Sequence, residues 1–174
     1  MGDSLITVVV IMLAAVLMFV FPMMAVSERS DDISQLTVQT ATTEFVDNIR
    51  ATGKITIEDY DKFIQTINAG GNTYEVEMEA KILDENVGIK VTQEEKDKIG
   101  ENDYYSMYTT QIMESLNSSQ GRLKLKEGDM VLVSVKNTNV TISQLLRNFF
   151  YRIAGDDSYQ IAAKHAGIVQ VTGK

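Results

Sequence analysis

The sequence predicts an α+β protein in which a long N-terminal membrane helix continues into a small domain with a roughly three-stranded antiparallel sheet and short helices. Two observations lead to this class. Residues 5–26 are an apolar run of 22 residues with Thr7 as the only polar side chain, and all 16 Lys and Arg residues lie beyond it. The rest of the chain contains short segments with the period of a helix or of a strand.

The apolar run at 5–26 is long enough to cross a membrane, because a helix needs about 20 apolar residues to span roughly 30 Å of hydrocarbon. A cleaved signal sequence usually has a basic start and an apolar stretch of about 7 to 15 residues, whereas residues 1–4 contain no Lys or Arg. A helix buried in a soluble core is seldom apolar on every face. We therefore expect a retained single-pass anchor, whose orientation the single nearby basic residue, Arg29, does not decide.

The polar residues that follow are predicted to extend the same helix over 27–52. No glycine or proline interrupts the chain between Pro22 and Gly53. Four apolar residues in this stretch have the 3-4-4 spacing of one helical face, namely Val38, Ala41, Phe45 and Ile49. Gly53 is a suitable C-cap. The expected organisation is a long helical unit at 1–53 and a small α+β domain at 54–174.

The remaining elements are short. In chain order the patterns predict a helix at 58–68, a strand at 74–82, a polar loop at 84–100, a helix at 102–116, a strand at 130–135, a helix at 141–153 and a strand at 159–171. Strict alternation makes 74–82 the clearest strand, and Thr141 is the expected cap of the last helix. One face of the predicted sheet needs a cover, which the second half of the long helix can provide.

The composition argues against most kinds of catalytic, metal-binding and nucleic-acid-binding site. A chain without Cys has no disulfide, thiolate zinc site or thiol nucleophile. The single histidine, His165, falls in a predicted strand without a catalytic motif. Neighbouring carboxylates are interpreted as solvated loops and helix ends, at Asp31-Asp32, Asp84-Glu85, Glu94-Glu95 and Asp156-Asp157. A net charge of −8 disfavours nucleic acid. We expect no enzyme activity, catalytic residue, metal or cofactor.

Several features of the N-terminal half occur together. An acidic residue, Asp3, precedes the apolar helix, Pro22 lies about two-thirds along it, and the helix runs on through Gln35-Leu36 and Glu44-Phe45-Val46 to Gly53-Lys54. A late pair of strands follows at 130–135 and 160–167. This layout resembles the type IV pilin-like proteins and, more narrowly, the TadE-like pseudopilins of tight-adherence (Tad) pilus systems. The resemblance implies a membrane-stored subunit that an ATP-driven machine incorporates into, or uses to prime, a filament or secretion apparatus.

The resemblance also implies the location, partners and key positions. The protein would be a single-pass protein of the cell membrane or part of a surface filament, with its soluble domain outside the cytoplasm. The partners would be the lipid bilayer, other copies or other pilin-like subunits, and a pilus or secretion assembly platform, with no nucleic acid. The expected membrane and assembly positions are Asp3, Leu5, Val9, Met12, Val16, Phe19, Pro22 and Val26. The expected helix face on the soluble domain is Val38, Ala41, Phe45 and Ile49.

Some alternatives stay open at the level of sequence. Asp3 would neutralise an N-terminal amine inside an assembly, where a buried charge needs a partner, or it is an ordinary acid favoured by the helix dipole. Pro22 marks a place where the helix bends, or it is a tolerated membrane-helix proline. The whole protein is alternatively a single-pass membrane protein with an extracytoplasmic partner- or ligand-binding domain. A membrane-tethered hydrolase is a third hypothesis.

Overall fold

The structure is a computed structural model that describes residues 2–84, 104–118, 121–151 and 160–173. The described helices are α1 (Gly2–Thr52), α2 (Ile57–Asn68), α3 (Thr109–Leu116) and α4 (Ile142–Tyr151). The described strands are β1 (Lys54–Thr56), β2 (Tyr74–Leu83), β3 (Tyr104–Tyr108), β4 (Arg122–Lys124), β5 (Met130–Asn137) and β6 (Ala162–Ile168). The predicted α+β class is confirmed. Beyond Asp84, the predicted loop at 84–100 lies outside the described residues.

Helix α1 has 51 residues and continues through Pro22, which makes it about 75 Å long at 1.5 Å per residue. It ends at Thr52 and is followed by Gly53, whose φ of +66° is in the left-handed region. The Gly53 N–H donates to the Ile49 carbonyl at 2.8 Å. Glycine adopts this conformation without the steric cost that a Cβ brings, so the predicted end of the helix is confirmed.

Four of the described strands form the main sheet, in the order β3-β2-β5-β6 with every neighbouring pair antiparallel. The alternation predicted for β2 is present, because Met78 and Ala80 are buried whereas Glu75 and Glu77 are exposed. The other two described strands, β1 and β4, pair with each other. Each has only three residues, which is too short for a periodic pattern to predict.

The helix predicted at 102–116 is wrong in its first part, since Tyr104–Tyr108 is strand β3 and the helix begins at Thr109. Tyrosine favours strands, and the edge of β2 provides the partner for this segment. The Ser106 hydroxyl donates to the Glu79 carboxylate at 2.8 Å, and the Thr109 hydroxyl accepts from the Met78 N–H at 2.8 Å. Tertiary pairing with β2 therefore outweighs the helical spacing of the tyrosines.

The core lies where the second half of α1 packs against strands β5 and β6 of the main sheet and against helix α2. Phe45 of α1 is central to it, since its ring stacks on Phe63 of α2 with centroids 4.6 Å apart and planes 6° apart. Tyr60 forms a tilted contact with the same ring at 6.4 Å. The long helix is thus a structural part of the domain as well as its N-terminal extension.

Asp129 is the most buried carboxylate among the described residues, with 1% of its surface exposed. It precedes β5 at the end of a turn, in which the Asp129 N–H donates to the Lys126 carbonyl at 3.1 Å. Its carboxylate accepts hydrogen bonds from the Leu83 N–H at 2.8 Å and the Lys126 N–H at 2.7 Å. Its backbone carbonyl accepts from the Val169 N–H at 2.7 Å. The side chain therefore joins the end of β2 to the turn, and the backbone carbonyl of the same residue holds the segment after β6.

Replacing Asp129 with alanine is expected to lower the free energy of unfolding by about 2 kcal/mol, because the N–H groups of Leu83 and Lys126 lose their acceptor in part-buried hydrogen bonds. Denaturant titration of the detergent-solubilised chain measures this change. Glu127 is an exposed neighbour in the same turn, and Glu127→Ala should change the value by less than about 0.5 kcal/mol. Equal effects of the two substitutions would show that the Asp129 hydrogen bonds do not stabilise the fold.

Candidate functional site

Helix α1 is the candidate functional element, because its two halves have opposite surroundings. Its first half is apolar and has no buried residue in its most apolar 18-residue window. Among the described residues, α1 is the one helix that is long and apolar enough to cross a membrane. The predicted assembly positions are all exposed on it, at Asp3, Leu5, Val9, Met12, Val16, Phe19, Pro22 and Val26. These properties suit a membrane anchor that contacts the lipid bilayer.

The single polar side chain of the apolar run, Thr7, is satisfied within the helix. Its hydroxyl donates to the Asp3 carbonyl at 2.8 Å, so the run needs no water for its side-chain hydrogen bond. Asp3 lies in the first turn of α1, where the helix dipole favours an acidic residue. The exposed surface of the run is therefore compatible with hydrocarbon along its length.

The second half of α1 enters the core of the domain. The structure buries each residue of the predicted helix face, Val38, Ala41, Phe45 and Ile49, to 6% exposure or less. Two further positions that the spacing did not single out, Thr42 and Val46, are fully buried beside them. Removal of α1 would consequently expose one side of the main sheet, so the anchor and the domain cannot be treated as independent parts.

The junction between the two halves is formed by residues that sequence reasoning misjudged or missed. Asp31 was interpreted as a solvated carboxylate, and this was wrong: it is 5% exposed, and it accepts a hydrogen bond from the Thr141 hydroxyl at 2.9 Å. The buried face of α1 at residue 38 continues backwards by four and seven residues to Ser34 and Asp31. Extending the helical spacing beyond the apolar residues would have found both positions.

Ser34, Gln35 and Asn72 complete the junction. The Gln35 side-chain amide donates to the Ala162 carbonyl at 2.7 Å and accepts from the Ala162 N–H at 3.0 Å. Since β6 is an edge among the described strands, this pair of bonds covers the start of its outer side. The Asn72 amide donates to the Ser34 hydroxyl at 3.2 Å. Burial raises the pKa of the nearby Tyr74 phenol, against hydrogen bonds with Asn72 and Ser34 that lower it.

Arg50, in the last turn of α1, connects the C-terminal end of the helix to β6. Its Nε donates to the Ile168 carbonyl at 3.1 Å, and its guanidinium pairs with Asp47 at 2.7 Å. His165, the single histidine of the chain, is half-buried in β6 with its Nε2 3.9 Å from the same Asp47 carboxylate. The Arg50 hydrogen bond therefore joins the end of α1 to the end of β6, and His165 lies beside it.

A hollow of about 340 Å³ lies between α1 and α2. Its lining includes two aromatic residues, Phe45 and Phe63, and three charged residues, Glu44, Asp59 and Lys62. Within the part of the chain that the structure describes, no group of three or more His, Asp or Glu side chains is placed to hold a metal ion. The expectation that the chain is not an enzyme stays a prediction.

The fold and the two-sided helix together define a class of protein: a small α+β domain built on the second half of a helix whose first half is suited to a membrane. The chain matches no protein-family model, no curated protein and no solved structure. Function therefore has to be argued from the helix and its junction with the domain.

Proposed function

We propose that this chain is a pilin-like or pseudopilin structural subunit, held in the cell membrane by residues 5–26 and then assembled into, or used to prime, a surface filament or secretion apparatus. One observation carries the proposal: α1 passes from an apolar half with no buried residue in its most apolar window into the domain core without a break. A simple tether needs no such continuity, since a flexible linker would connect an anchor to a domain equally well.

The exposed apolar half serves two environments in this proposal. In the membrane it contacts lipid, and in an assembly it packs against the same half of neighbouring copies, because both surroundings bury apolar surface. The domains, placed outside the cytoplasm, then lie on the outer surface of a bundle formed by the packed apolar halves. A partner machine that extracts the subunit from the bilayer is required, since the apolar run makes spontaneous release costly.

Cysteine cross-linking in cells tests this packing. The chain contains no Cys, so single cysteines at Val9 and Phe19 report contacts between apolar halves without background. Ladders of cross-linked dimers and higher species are expected at both positions. A cysteine at Glu127, an exposed residue of the turn before β5, serves as the control. Cross-linking at Val9 and Phe19 that does not exceed the Glu127 level would contradict the proposal.

Replacing Pro22 with alanine is expected to leave membrane insertion intact and to reduce assembly. Proline has no N–H to donate to the carbonyl four residues earlier, so the helix is weakened there. Alanine restores the bond and removes a place where the rod can bend or extend. The measurement compares the membrane-extracted and shear-released amounts with those of Met23→Ala, a neighbouring control. Unchanged release in Pro22→Ala would show that proline is merely tolerated.

The second candidate is a single-pass membrane protein whose domain binds a partner or ligand, and the hollow between α1 and α2 favours it. Its polar and aromatic lining is suited to a small polar molecule or a peptide side chain. Reversing the charge of Lys62, an exposed residue on its rim, would then abolish recruitment without changing the shear-released amount. The filament hypothesis predicts no such effect of Lys62→Glu.

A further inference from the structure

The surface beside the end of the apolar run has an unusual distribution of side chains. In α4 and the residue pair before it, the polar Thr141 and Ser143 are buried at 7% and 3% exposure. Three apolar residues point outward instead: Val140, Ile142 and Leu145 are 59%, 54% and 58% exposed. A helix on a water-facing surface normally has the opposite arrangement, with its apolar side toward the core. We call these three residues the α4 patch.

The α4 patch is tied to α1 immediately after the apolar run. The Thr141 hydroxyl donates to the Asp31 carboxylate at 2.9 Å. The same hydroxyl accepts from the Gln144 N–H at 3.2 Å. In return, the Gln144 side-chain oxygen accepts from the Thr141 N–H at 3.1 Å. These reciprocal bonds are a capping box that fixes where α4 begins. Val140 and Ile142 line one hollow together with Ser27, the first residue after the run.

The spacing along α1 gives the depth of the patch. The apolar run at 5–26 covers about 33 Å at 1.5 Å per residue, close to the thickness of the hydrocarbon core. The polar headgroup layer adds about 5 to 7 Å on each side. Ser27 is the first residue beyond the hydrocarbon core, and Asp31 lies about 7.5 Å beyond Val26 along the helix axis. The hollow shared by Ser27, Val140 and Ile142 is therefore at the level of the headgroups.

From these observations we propose that the α4 patch is a second membrane contact, which rests in the headgroup layer of the bilayer that α1 spans. Helices with one apolar face bind this layer parallel to the surface. The contact is apolar rather than electrostatic, because the neighbouring part of α1 carries Glu28, Asp31 and Asp32 against Arg29. The domain would thus lie down on the membrane in the stored subunit, with α4 as its base. This inference rests on the anchoring part of the proposed function and goes beyond it.

The test places single fluorescent labels on the full chain in nanodiscs of zwitterionic phosphatidylcholine that contain lipids spin-labelled near the headgroup. Cysteines replace Ile142 and Leu145 in turn, and both positions are exposed, so labelling should not disturb the fold. Met12 is the reference inside the apolar run, and Lys124 in β4 is the exposed reference on the domain. Labels at 142 and 145 should lose most of their fluorescence intensity, and their emission should shift to the blue. The label at 124 should keep its intensity and its emission wavelength.

The outcomes separate the two proposals. A label at 142 that behaves like the one at 124, while spectra at Met12 show insertion, overturns the membrane contact and leaves the anchor intact. A water-exposed Met12 overturns both the contact and the anchor. Protection of 142 in shear-released filaments but not in nanodiscs identifies a neighbouring subunit as the occupant and equally overturns the inference. As a second variant, Ile142→Glu with Leu145→Glu should remove the quenching of a label at Val140.

Discussion

Replacing Gly53 with alanine is expected to lower the free energy of unfolding by more than about 4 kcal/mol, among the largest effects of a single substitution. A Cβ at this position would overlap the Val171 carbonyl oxygen and approach the Gly173 backbone. The carbonyl of Gly53 accepts from the Leu125 N–H at 2.8 Å, and Leu125 accepts in turn from the Gly173 N–H at 2.9 Å. Because every overlapping atom is backbone, no side-chain rotation relieves the clash.

Gly71 provides a matched control for this prediction. Its φ of +79° is also in the left-handed region, but a Cβ there would meet nothing within 4 Å. Gly71→Ala therefore measures the conformational cost alone, which is about 1 to 2 kcal/mol. Denaturant titration of both variants in detergent, followed by tyrosine circular dichroism, gives the difference. If the two glycines prove equally tolerant, the close packing of α1's end against the C-terminal segment is not present in solution.

Replacing Phe45 with alanine is expected to lower the free energy of unfolding by about 3 to 5 kcal/mol, the usual cost of emptying the space of a buried aromatic ring. Phe45 is 5% exposed and stacks on Phe63, so the substitution removes contacts within the interface between α1 and α2. In this variant α1 should stay in the membrane while the packing of the domain around it loosens.

Limited proteolysis of membranes measures this separation, since a loosened domain is cut while the apolar run stays protected by lipid. Leu36→Ala is the control, because Leu36 lies on the same helix with 64% of its surface exposed. It should change stability by less than about 0.5 kcal/mol. Equal protease resistance of Phe45→Ala and the unsubstituted chain would mean that α1 does not form part of the domain core.

The long helix and β2 could be predicted from the sequence because their signals are local. An uninterrupted stretch up to Gly53 and the strict alternation of 74–82 each depend on a single element. The strand at Tyr104–Tyr108 could not be predicted in the same way, because the partner edge that makes it a strand lies in β2. Asp31 was misjudged because its partner, Thr141, is 110 residues away in the chain.

The same distinction applies to the candidate site. The apolar residues from Leu5 to Val26 identify themselves by composition, and Val38 to Ile49 by spacing. The junction depends on Gln35 and Asn72, whose contacts with Ala162 and Ser34 follow only from the packed arrangement. The exposure of the α4 patch likewise cannot be predicted from the sequence, because the sequence of α4 is that of an ordinary amphipathic helix. Long-range placement, rather than residue type, limits what sequence reasoning reaches.

Mechanical shearing of intact cells, followed by probing of the released surface fraction for this chain, tests the proposed role most directly. The pilin-like account predicts that the chain is released in filaments and that the amount falls in Pro22→Ala while the membrane-inserted amount does not. Recovery of the chain only as detergent-solubilised monomers, with none in the sheared fraction or in an assembled secretion apparatus, would contradict it.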